Sequence, residues 1–213
     1  MSKPSAKLIE ALFERFEQSQ PNPKTELNFT NPFTLLVAVA LSAQTTDVAV
    51  NKATEPLFQR ASDPQAMLAL GEEQLMTMIS SIGLYRNKAR NVMAMCQILI
   101  DRYGSAVPLN REDLISLPGV GNKTASVVLN ELGQEAAIAV DTHVFRVAHR
   151  LGIVGEAART PDKVEAELMA VIPKKWLSRA HHWLILHGRY VCTARHPKCL
   201  SCVVSDLCPK RGL

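Results

Sequence analysis

Apolar residues recur along most of the chain with the spacing of an α-helix. Two stripes illustrate it: Leu8, Leu12 and Phe16 near the start, and Val92, Cys96, Leu99 and Tyr103 in the middle. Residues three or four apart lie on one face of a helix, whereas a half-buried strand alternates apolar and polar residues. No alternation in this sequence is long enough to require a strand. The pattern therefore predicts an all-α fold.

Capping residues and glycines divide this pattern into short elements. A capping residue precedes a proline in Asn31-Pro32, Asp63-Pro64 and Thr160-Pro161. Such side chains accept hydrogen bonds from the first N–H groups of a helix, and proline fits the first helical position. Glycines stand where helices should end, at positions 71, 83, 104, 133 and 152. We expect about ten short helices with tight connections.

Composition places the chain among globular proteins. It has 213 residues, 47% of them hydrophobic, which suffices for one large domain or two small ones. No apolar run reaches the roughly 20 residues needed to span a bilayer. Charges interrupt the apolar residues of the N-terminal stretch, unlike in a signal peptide. We therefore expect a soluble protein of the cytoplasm.

Positive charge is concentrated near the C-terminus. The net charge of +4 divides into +7 for residues 174–213 and −3 for residues 1–173. A basic segment on a slightly acidic chain suits a surface that faces a polyanion. A solvated basic end explains the charge equally well, so charge alone leaves both interpretations open.

A glycine-containing turn between two predicted helices is a candidate phosphate site. The sequence predicts helices over 111–117 and 122–132, the first capped by Asn110, joined by Pro118-Gly119-Val120-Gly121. Gly119 and Gly121 allow positive φ and leave no side chain over the turn. Backbone N–H groups can then approach a phosphate oxygen closely. An ordinary helix–turn–helix corner also favours Pro and Gly, but Leu-Pro-Gly-Val-Gly is far rarer than a lone Gly-x-Gly.

Four cysteines near the C-terminus indicate a metal site. Their spacing is C-x6-C-x2-C-x5-C, at Cys192, Cys199, Cys202 and Cys208. Clustered thiols in an intracellular chain favour a metal over disulfides, and thiolate quartets suit zinc or an iron–sulfur cluster. Zinc sites more often pair two C-x2-C segments, and this chain has one. Cys96, on an apolar stripe, is expected to be an unligated core thiol.

These motifs resemble those of helix–hairpin–helix DNA glycosylases, and the cysteine spacing is similar to that of the endonuclease III family. The resemblance extends from residue 26 onward and includes four segments: 41–47, 82–85, 117–141 and 181–189. The superfamily motif has Gly or Pro before its aspartate. Here Ala139-Val140 lead to Asp141, but endonuclease III-like members also carry Val-Asp-Thr-His at this point.

The resemblance implies a two-lobed helix–hairpin–helix glycosylase fold. A six-helix barrel domain with the hairpin would cover residues 25–135, and residues 1–24 plus 136–213 would form an iron–sulfur cluster domain. The four cysteines would hold a [4Fe–4S] cluster, which we interpret as structural, with redox sensing as the alternative. Duplex DNA would lie across the cleft between the lobes. The resemblance implies DNA contacts at Gly119, Val120, Gly121, Arg195 and Lys198.

Lys123 and Asp141 are the candidate catalytic residues. A lysine amine attacks only when neutral, and its ordinary pKa is about 10.4. The positive end of the helix that begins at residue 122 disfavours an ammonium at Lys123, and partial burial would act in the same direction. Taken alone, the residues favour a phosphate-contacting lysine and a helix-capping aspartate. The resemblance instead implies a nucleophile that attacks sugar C1′ and a carboxylate that accepts a proton or balances charge. For His143 we expect a structural or supporting role.

Two further residues are candidates for opening the DNA stack. A base must leave the duplex before C1′ can be attacked, and the gap must be filled. Gln44 could be a helix cap and Leu84 a core anchor. The resemblance implies instead that Gln44 bonds the partner base and that Leu84 wedges between bases.

Together these features predict a bifunctional base-excision-repair enzyme. It would remove oxidised pyrimidines from duplex DNA and nick the abasic site on its 3′ side by β-elimination through a lysine Schiff base. We expect a monomer that is located in the cytoplasm of a bacterial-type cell and is associated with the nucleoid. One alternative is a monofunctional glycosylase, a class that lacks the lysine. Another is a non-catalytic iron–sulfur DNA-binding module, which leaves the pairing of Lys123 with Asp141 to chance.

Overall fold

The computed structural model describes residues 4–213, and within them the chain is helical without a β-strand. The all-α prediction is therefore confirmed. In that range the helices are α1 (Ala6–Ser19), α2 (Pro32–Leu41), α3 (Asp47–Arg60), α4 (Pro64–Leu70), α5 (Glu72–Met78), α6 (Tyr85–Tyr103), α7 (Arg111–Ile115), α8 (Asn122–Glu131), α9 (Thr142–Arg150), α10 (Pro161–Val171) and α11 (Lys174–Tyr190), followed by a short 3₁₀ turn, Cys199–Ser201.

The three capping residues read from the sequence begin helices as expected. Asn31, Asp63 and Thr160 each accept a hydrogen bond from a backbone N–H in the first turn, and a proline follows each of them. The side chains satisfy N–H groups that have no partner within the helix. Gly104 ends α6 at φ 57° and Gly71 ends α4 at φ 83°, as predicted for glycine stops.

The chain divides into two compact units. One comprises residues 26–134, and the other comprises residues 135–213 together with the N-terminal segment that ends at Thr25. The described helices of the first unit are α2 to α8, seven rather than the six that the resemblance implies, with Gly71 separating α4 from α5.

The unit of residues 26–134 is built around α2. Its sequence, PFTLLVAVAL, is apolar almost throughout, and eight of its residues are buried. A helix that is apolar on all sides must be covered on all sides, and α3, α6 and α8 contact it. Cys96 on α6 lies fully buried in this core, as expected of an unligated thiol, and burial raises its pKa to about 12.

The second unit joins the N-terminal helix to the C-terminal part of the chain. Phe13 of α1 stacks on Trp176 of α11 with ring centroids 5.8 Å apart. The indole nitrogen of Trp176 donates to Glu17 at 3.1 Å, and that of Trp183 donates to the Gln20 carbonyl at 2.8 Å. These contacts bury two large aromatic side chains while satisfying their N–H groups.

Membrane-spanning helices were sought over residues 4–213. None of the helices there is long and apolar enough to cross a bilayer.

Candidate functional site

The predicted hairpin is formed by α7, the six-residue connection 116–121 and α8. Asn110 caps α7 by accepting from the N–H of Asp113 at 2.9 Å. Both helices are slightly shorter than predicted: α7 ends at Ile115 rather than Leu117, and α8 ends at Glu131 rather than Leu132. Pro118 and the glycines that follow it explain the earlier end of α7, since they favour a turn.

The two glycines of the turn have different roles. Gly119 has φ 80°, and a Cβ there would lie 3.1 Å from the Cβ of Asn91. The backbone therefore favours glycine at this position, and Asn91 leaves little room for a side chain. Gly121 has φ −98° and does not use the positive-φ freedom expected of it. No described heavy atom lies within 4 Å of the position that its Cβ would take, so its missing side chain leaves open space.

Val120 packs into the core of its unit and so holds the turn in place. Its side chain is buried, and its N–H donates to the Leu117 carbonyl at 3.1 Å. The turn is thus held by an apolar contact and an internal hydrogen bond. What it presents to the outside is the backbone around Gly121 and the start of α8.

Lys123 is the second residue of α8. Its side chain is exposed, and the partial burial considered for it is not found. The reason is its place on the helix: Ala125, Val128 and Leu129 form the buried face. Lys123 does lie in the first turn of α8, at the positive end of the helix dipole, as the sequence predicts.

Asp141 belongs to the other unit and caps α9. One carboxylate oxygen, Oδ1, accepts from the N–H groups of His143 and Val144, each at 2.8 Å. These bonds fix the orientation of a half-buried carboxylate. The capping role considered from the sequence is confirmed.

A network behind Asp141 was not found from the sequence. Arg146, one turn into α9, donates to the carbonyls of Gly188 at 2.7 Å and Cys192 at 3.0 Å, and its guanidinium lies 3.2 Å from His143 Nδ1. Gly188 permits this close approach, since a Cβ there would lie 2.9 Å from the His143 Cβ. His143 therefore has the supporting position expected of it. A glycine inside an otherwise helical pattern was the available signal.

The four cysteines converge at the end of α11. All of them line one pocket, together with His187. Burial and the other cysteine thiols raise the pKa of Cys202 and of Cys208. Within residues 4–213, no group of three or more His, Cys, Asp or Glu side chains is placed so that it could hold a single metal ion. Four soft thiols facing one pocket are the donor set that an iron–sulfur cluster requires.

Hydrogen bonds hold the loop that carries these cysteines. Arg150 of α9 is buried and donates to the carbonyls of Thr193 at 2.7 Å and Ala194 at 2.9 Å, and it lies 3.6 Å from the sulfur of Cys192. Burial lowers the pKa of His187 to about 4, so its ring is neutral. Its Nε2 lies 3.7 Å from the Cys202 sulfur.

The charged residues of the first cysteine loop point outward. Arg195 and Lys198 are both exposed, as expected for residues that face a polyanion. Thr193 closes the base of the loop, with its hydroxyl donating to the His196 carbonyl at 2.6 Å.

Gln44 and Leu84 occupy exposed tips in the unit of residues 26–134. Gln44 has φ 56° and lies in the turn between α2 and α3; the cap of α3 is Thr46 rather than Gln44. Leu84 has φ 59° at the start of α6 and is 62% exposed, so it is not a core anchor. Left-handed backbone is uncommon for residues other than glycine, and such strain often marks functional positions.

Comparison with protein families gives two matches along the chain. Residues 37–174 match the HhH-GPD superfamily of base excision DNA repair proteins, and residues 192–208 match the iron–sulfur binding domain of endonuclease III. The second match covers all four cysteines, and the cofactor of the chain is a [4Fe–4S] cluster.

Individual relatives match over nearly the whole chain. Endonuclease III of Rickettsia conorii is 54% identical over 95% of this chain and 96% of its own length. Endonuclease III of Escherichia coli K12 is 50% identical over 95% of each. The similarity therefore extends over nearly the whole chain and is not limited to one shared domain.

Solved structures agree with these matches. A trapped endonuclease III–DNA covalent intermediate, in an estranged-adenine complex, superposes with a TM-score of 0.89 and 45% identity over 97% of each chain. A thermostable thymine-DNA glycosylase has a TM-score of 0.83 at 23% identity over 96% of each chain, which shows a shared fold. The chain belongs to the endonuclease III family of base-excision-repair DNA glycosylases and AP lyases.

Proposed function

We propose that this enzyme removes oxidised pyrimidines from duplex DNA and then nicks the strand on the 3′ side of the abasic sugar. The protein is a DNA-binding glycosylase and AP lyase by family; the lesion class and the Schiff-base route are the proposal. One observation carries it. Lys123 is exposed at the second position of a helix whose capping residue, Gly121, has no side chain.

Lys123 supplies the nucleophile. Its neutral amine attacks C1′ of the extruded nucleotide, and the bond from C1′ to the base breaks with its electron pair leaving on the base. The amine gives up its two protons, one to the departed base and one to the ring oxygen O4′ as the sugar ring opens, and a Schiff base joins Lys123 to C1′. Removal of a C2′ proton then expels the 3′ phosphate by β-elimination, and water releases the lysine.

Asp141 supplies the carboxylate. Two backbone N–H groups of α9 donate to Oδ1 at 2.8 Å and hold the carboxylate in one orientation. A carboxylate fixed in this way can accept a proton from the attacking amine or balance the positive charge that develops on the sugar. Capping and chemistry are compatible because a carboxylate can accept more than two hydrogen bonds.

The DNA contacts are proposed for the hairpin and the cysteine loop. Gly119, Val120 and Gly121 form the phosphate-binding turn, with Val120 as its anchor. Arg195 and Lys198 meet further phosphates, since both are exposed and positively charged. These contacts position the duplex without reading bases. Recognition of the lesion is left to the pocket that receives the extruded base.

Gln44 and Leu84 are proposed to fill the gap that the extruded nucleotide leaves. Gln44 is exposed and carries both a donor and an acceptor, as bonding to a partner base requires. Leu84 is an exposed apolar residue, and apolar side chains inserted between bases unstack them.

The cluster is proposed to be structural, with Cys192, Cys199, Cys202 and Cys208 as its ligands. When bound, it would constrain short loops that have few core residues of their own. Arg150 and His187 contact the sulfurs of two of these cysteines, Cys192 and Cys202. Residues 26–134 would form the barrel domain, and the second unit would form the iron–sulfur domain.

We also propose that the enzyme acts as a monomer on damaged or abasic duplex DNA, in the cytoplasm at the nucleoid. The proposed chemistry assigns nucleophile and carboxylate to one chain, so one copy suffices for each lesion. Light scattering at micromolar concentration is the direct measure of its oligomeric state.

Borohydride trapping on abasic duplex DNA tests the Schiff base. Reduction of the iminium should link wild-type protein to DNA, whereas Lys123→Ala should trap at least about a thousandfold less, because the nucleophile is gone. Lys52→Ala, at an exposed lysine of α3, should trap like wild type. Equal trapping by wild type and Lys123→Ala would contradict the lyase mechanism.

The same assay separates the competing functions. A monofunctional glycosylase would release bases without trapping, and a DNA-binding module would do neither. A panel of duplexes, each with one damaged base, tests the lesion class. Preference for an oxidised purine over oxidised pyrimidines would overturn that part of the proposal.

Metal analysis tests the cysteine ligands. Cys199→Ser should lose iron, acid-labile sulfide and the visible charge-transfer absorbance, because one of its four ligands is weakened. Cys96→Ser is the matched control, since that thiol lies in the other unit's core, and its iron content should equal that of wild type. A colourless wild-type protein loaded with zinc would contradict the ligand assignment.

A further inference from the structure

Lys88 is a buried lysine that the proposed chemistry does not use. It lies on α6, one turn after Leu84, and only 9% of its surface is exposed. Its ammonium donates to the carbonyls of Leu41 at 2.9 Å and Ala43 at 2.7 Å, and to the Thr45 hydroxyl at 2.9 Å. An ammonium has three donors, and these acceptors use all of them. Lys88 thereby links α6 to the turn that follows α2.

This arrangement is costly in free energy. Burial of the ammonium lowers the pKa of Lys88, and its acceptors are neutral oxygens rather than a carboxylate. Removing a charge from water is unfavourable, and an apolar side chain of similar length would avoid that cost. Directed hydrogen bonds nevertheless fix the turn in one geometry, which an apolar side chain cannot do.

The parts that Lys88 connects are the two strained tips. Its ammonium bonds to Ala43 and Thr45, the residues on either side of Gln44. Its backbone N–H donates to the Leu84 carbonyl at 3.1 Å. Gln44 and Leu84 are both left-handed, at φ 56° and 59°. Residues in such conformations persist when the surrounding structure imposes them, and Lys88 contacts the backbone at both places.

We propose that Lys88 is a positioning residue for insertion into DNA: it holds Gln44 and Leu84 as one preformed pair. The inference rests on the proposed role of these two side chains in filling the gap. A pair that is ordered before binding pays less conformational entropy when it enters the stack. Lys88 acts through the two tips and takes no part in the chemistry at the sugar.

The test uses full-length, cluster-loaded protein with Lys88→Met. Methionine has an unbranched side chain of similar length and leaves the backbone N–H of residue 88 in place, but it removes all three ammonium donors. On a duplex with an oxidised pyrimidine, single-turnover excision should fall by about tenfold or more, as expected when charged hydrogen bonds are lost. On abasic single-stranded DNA, which has no stack to fill, borohydride trapping should stay within about twofold of wild type. A purely structural role would lower both rates equally.

A fluorescence measurement reports insertion without any reaction. A 2-aminopurine base is placed opposite a stable abasic analogue, and protein is added until anisotropy shows that the DNA is bound. Wild type should raise the fluorescence by unstacking that base, and Lys88→Met should lose most of this rise. If wild type neither excises nor traps, the proposed function fails, but the fluorescence comparison still decides the role of Lys88.

Three controls make the result specific. Lys52→Met, at an exposed lysine of the same unit, should behave like wild type. In a Gln44→Ala/Leu84→Ala background, Lys88→Met should cause no further loss, because the residues it positions are gone. Lys88→Gln replaces Lys88→Met if the latter does not fold.

The role of Lys88 is refuted by any of three results. The first is unchanged excision and fluorescence in Lys88→Met. The second is an equal loss on both DNA substrates. The third is a full additional loss in the double-alanine background.

Discussion

The N-termini of α8 and α9 have the same backbone geometry but use it in opposite ways. Gly121 precedes α8 with φ −98° and ψ 178°, and Asp141 precedes α9 with φ −101° and ψ −174°. The α9 N–H groups are bonded to the Asp141 carboxylate, whereas Gly121 has no side chain that could accept from those of α8. One helix end thus orients a catalytic candidate, and the other leaves room for a ligand.

The comparison shows why glycine at 121 points to a partner outside the protein. An aspartate would be compatible with the backbone at this position, as Asp141 demonstrates. Nothing in the described chain would meet its Cβ within 4 Å. Neither strain nor packing therefore requires glycine, which supports the phosphate contact proposed for these N–H groups.

The largest effect is expected where capping is kept and the carboxylate is removed. Asp141→Asn should cap α9 as well as aspartate does, but it cannot accept a proton or carry negative charge. We expect excision to slow by about 10²- to 10⁴-fold, with thermal stability close to that of wild type. Single-turnover kinetics and a melting curve measure the two quantities.

Asp141→Ala separates the two roles. Alanine removes the cap as well as the charge. Relative to Asp141→Asn, the free energy of unfolding should fall by a further 0.5–2 kcal/mol, roughly 1 kcal/mol in most proteins. If Asp141→Asn kept full activity while Asp141→Ala lost it, orientation of α9 alone would account for the residue.

A smaller effect is expected when α8 receives the cap of α9. Gly121→Asp should fold normally, because the backbone already has the capping conformation. Its carboxylate would occupy the N–H groups and repel phosphate, so the Kd for abasic-analogue DNA should rise about tenfold or more. Anisotropy titration at one fixed salt concentration measures this. Gly121→Ala should weaken binding less, and unchanged binding by Gly121→Asp would remove α8 from the DNA interface.

The smallest effect concerns stability within the hairpin turn. Gly119→Ala forces a side chain into φ 80° and against Asn91, and should cost about 1–2 kcal/mol. Gly121→Ala meets neither constraint and should change stability by less than about 0.5 kcal/mol. Denaturant unfolding followed by circular dichroism compares them. Equal costs would mean that the turn differs from the one described.

Much of this fold follows from local signals. The caps at Asn31, Asp63 and Thr160 and the buried stripe through Cys96 could be read from the chain, because each depends on residues within a few positions of one another. The cysteine spacing indicated a metal site for the same reason.

The supporting contacts could not be read in this way. Lys88 bonds to residues more than 40 positions earlier, and Arg146 to carbonyls more than 40 positions later. Contacts between residues so far apart leave only indirect signals in the amino-acid sequence. Lys88 continues the apolar stripe of Val92 and Cys96 at a spacing of four, and a charged residue on a buried stripe has to bond to something. The exposed position of Lys123 does have a local signal, because Ala125, Val128 and Leu129 lie on the opposite face of α8.

The union of α1 with the C-terminal part of the chain has a consequence for biosynthesis. Glu17 accepts its hydrogen bond from Trp176, which is made 159 residues later. At roughly 5–20 residues per second, the first helix waits on the ribosome for about 10–30 s before its partner exists. Residues 26–134, by contrast, are contiguous and can condense during translation. The four cysteines proposed as cluster ligands are made after this unit, so iron insertion would follow the folding of residues 26–134.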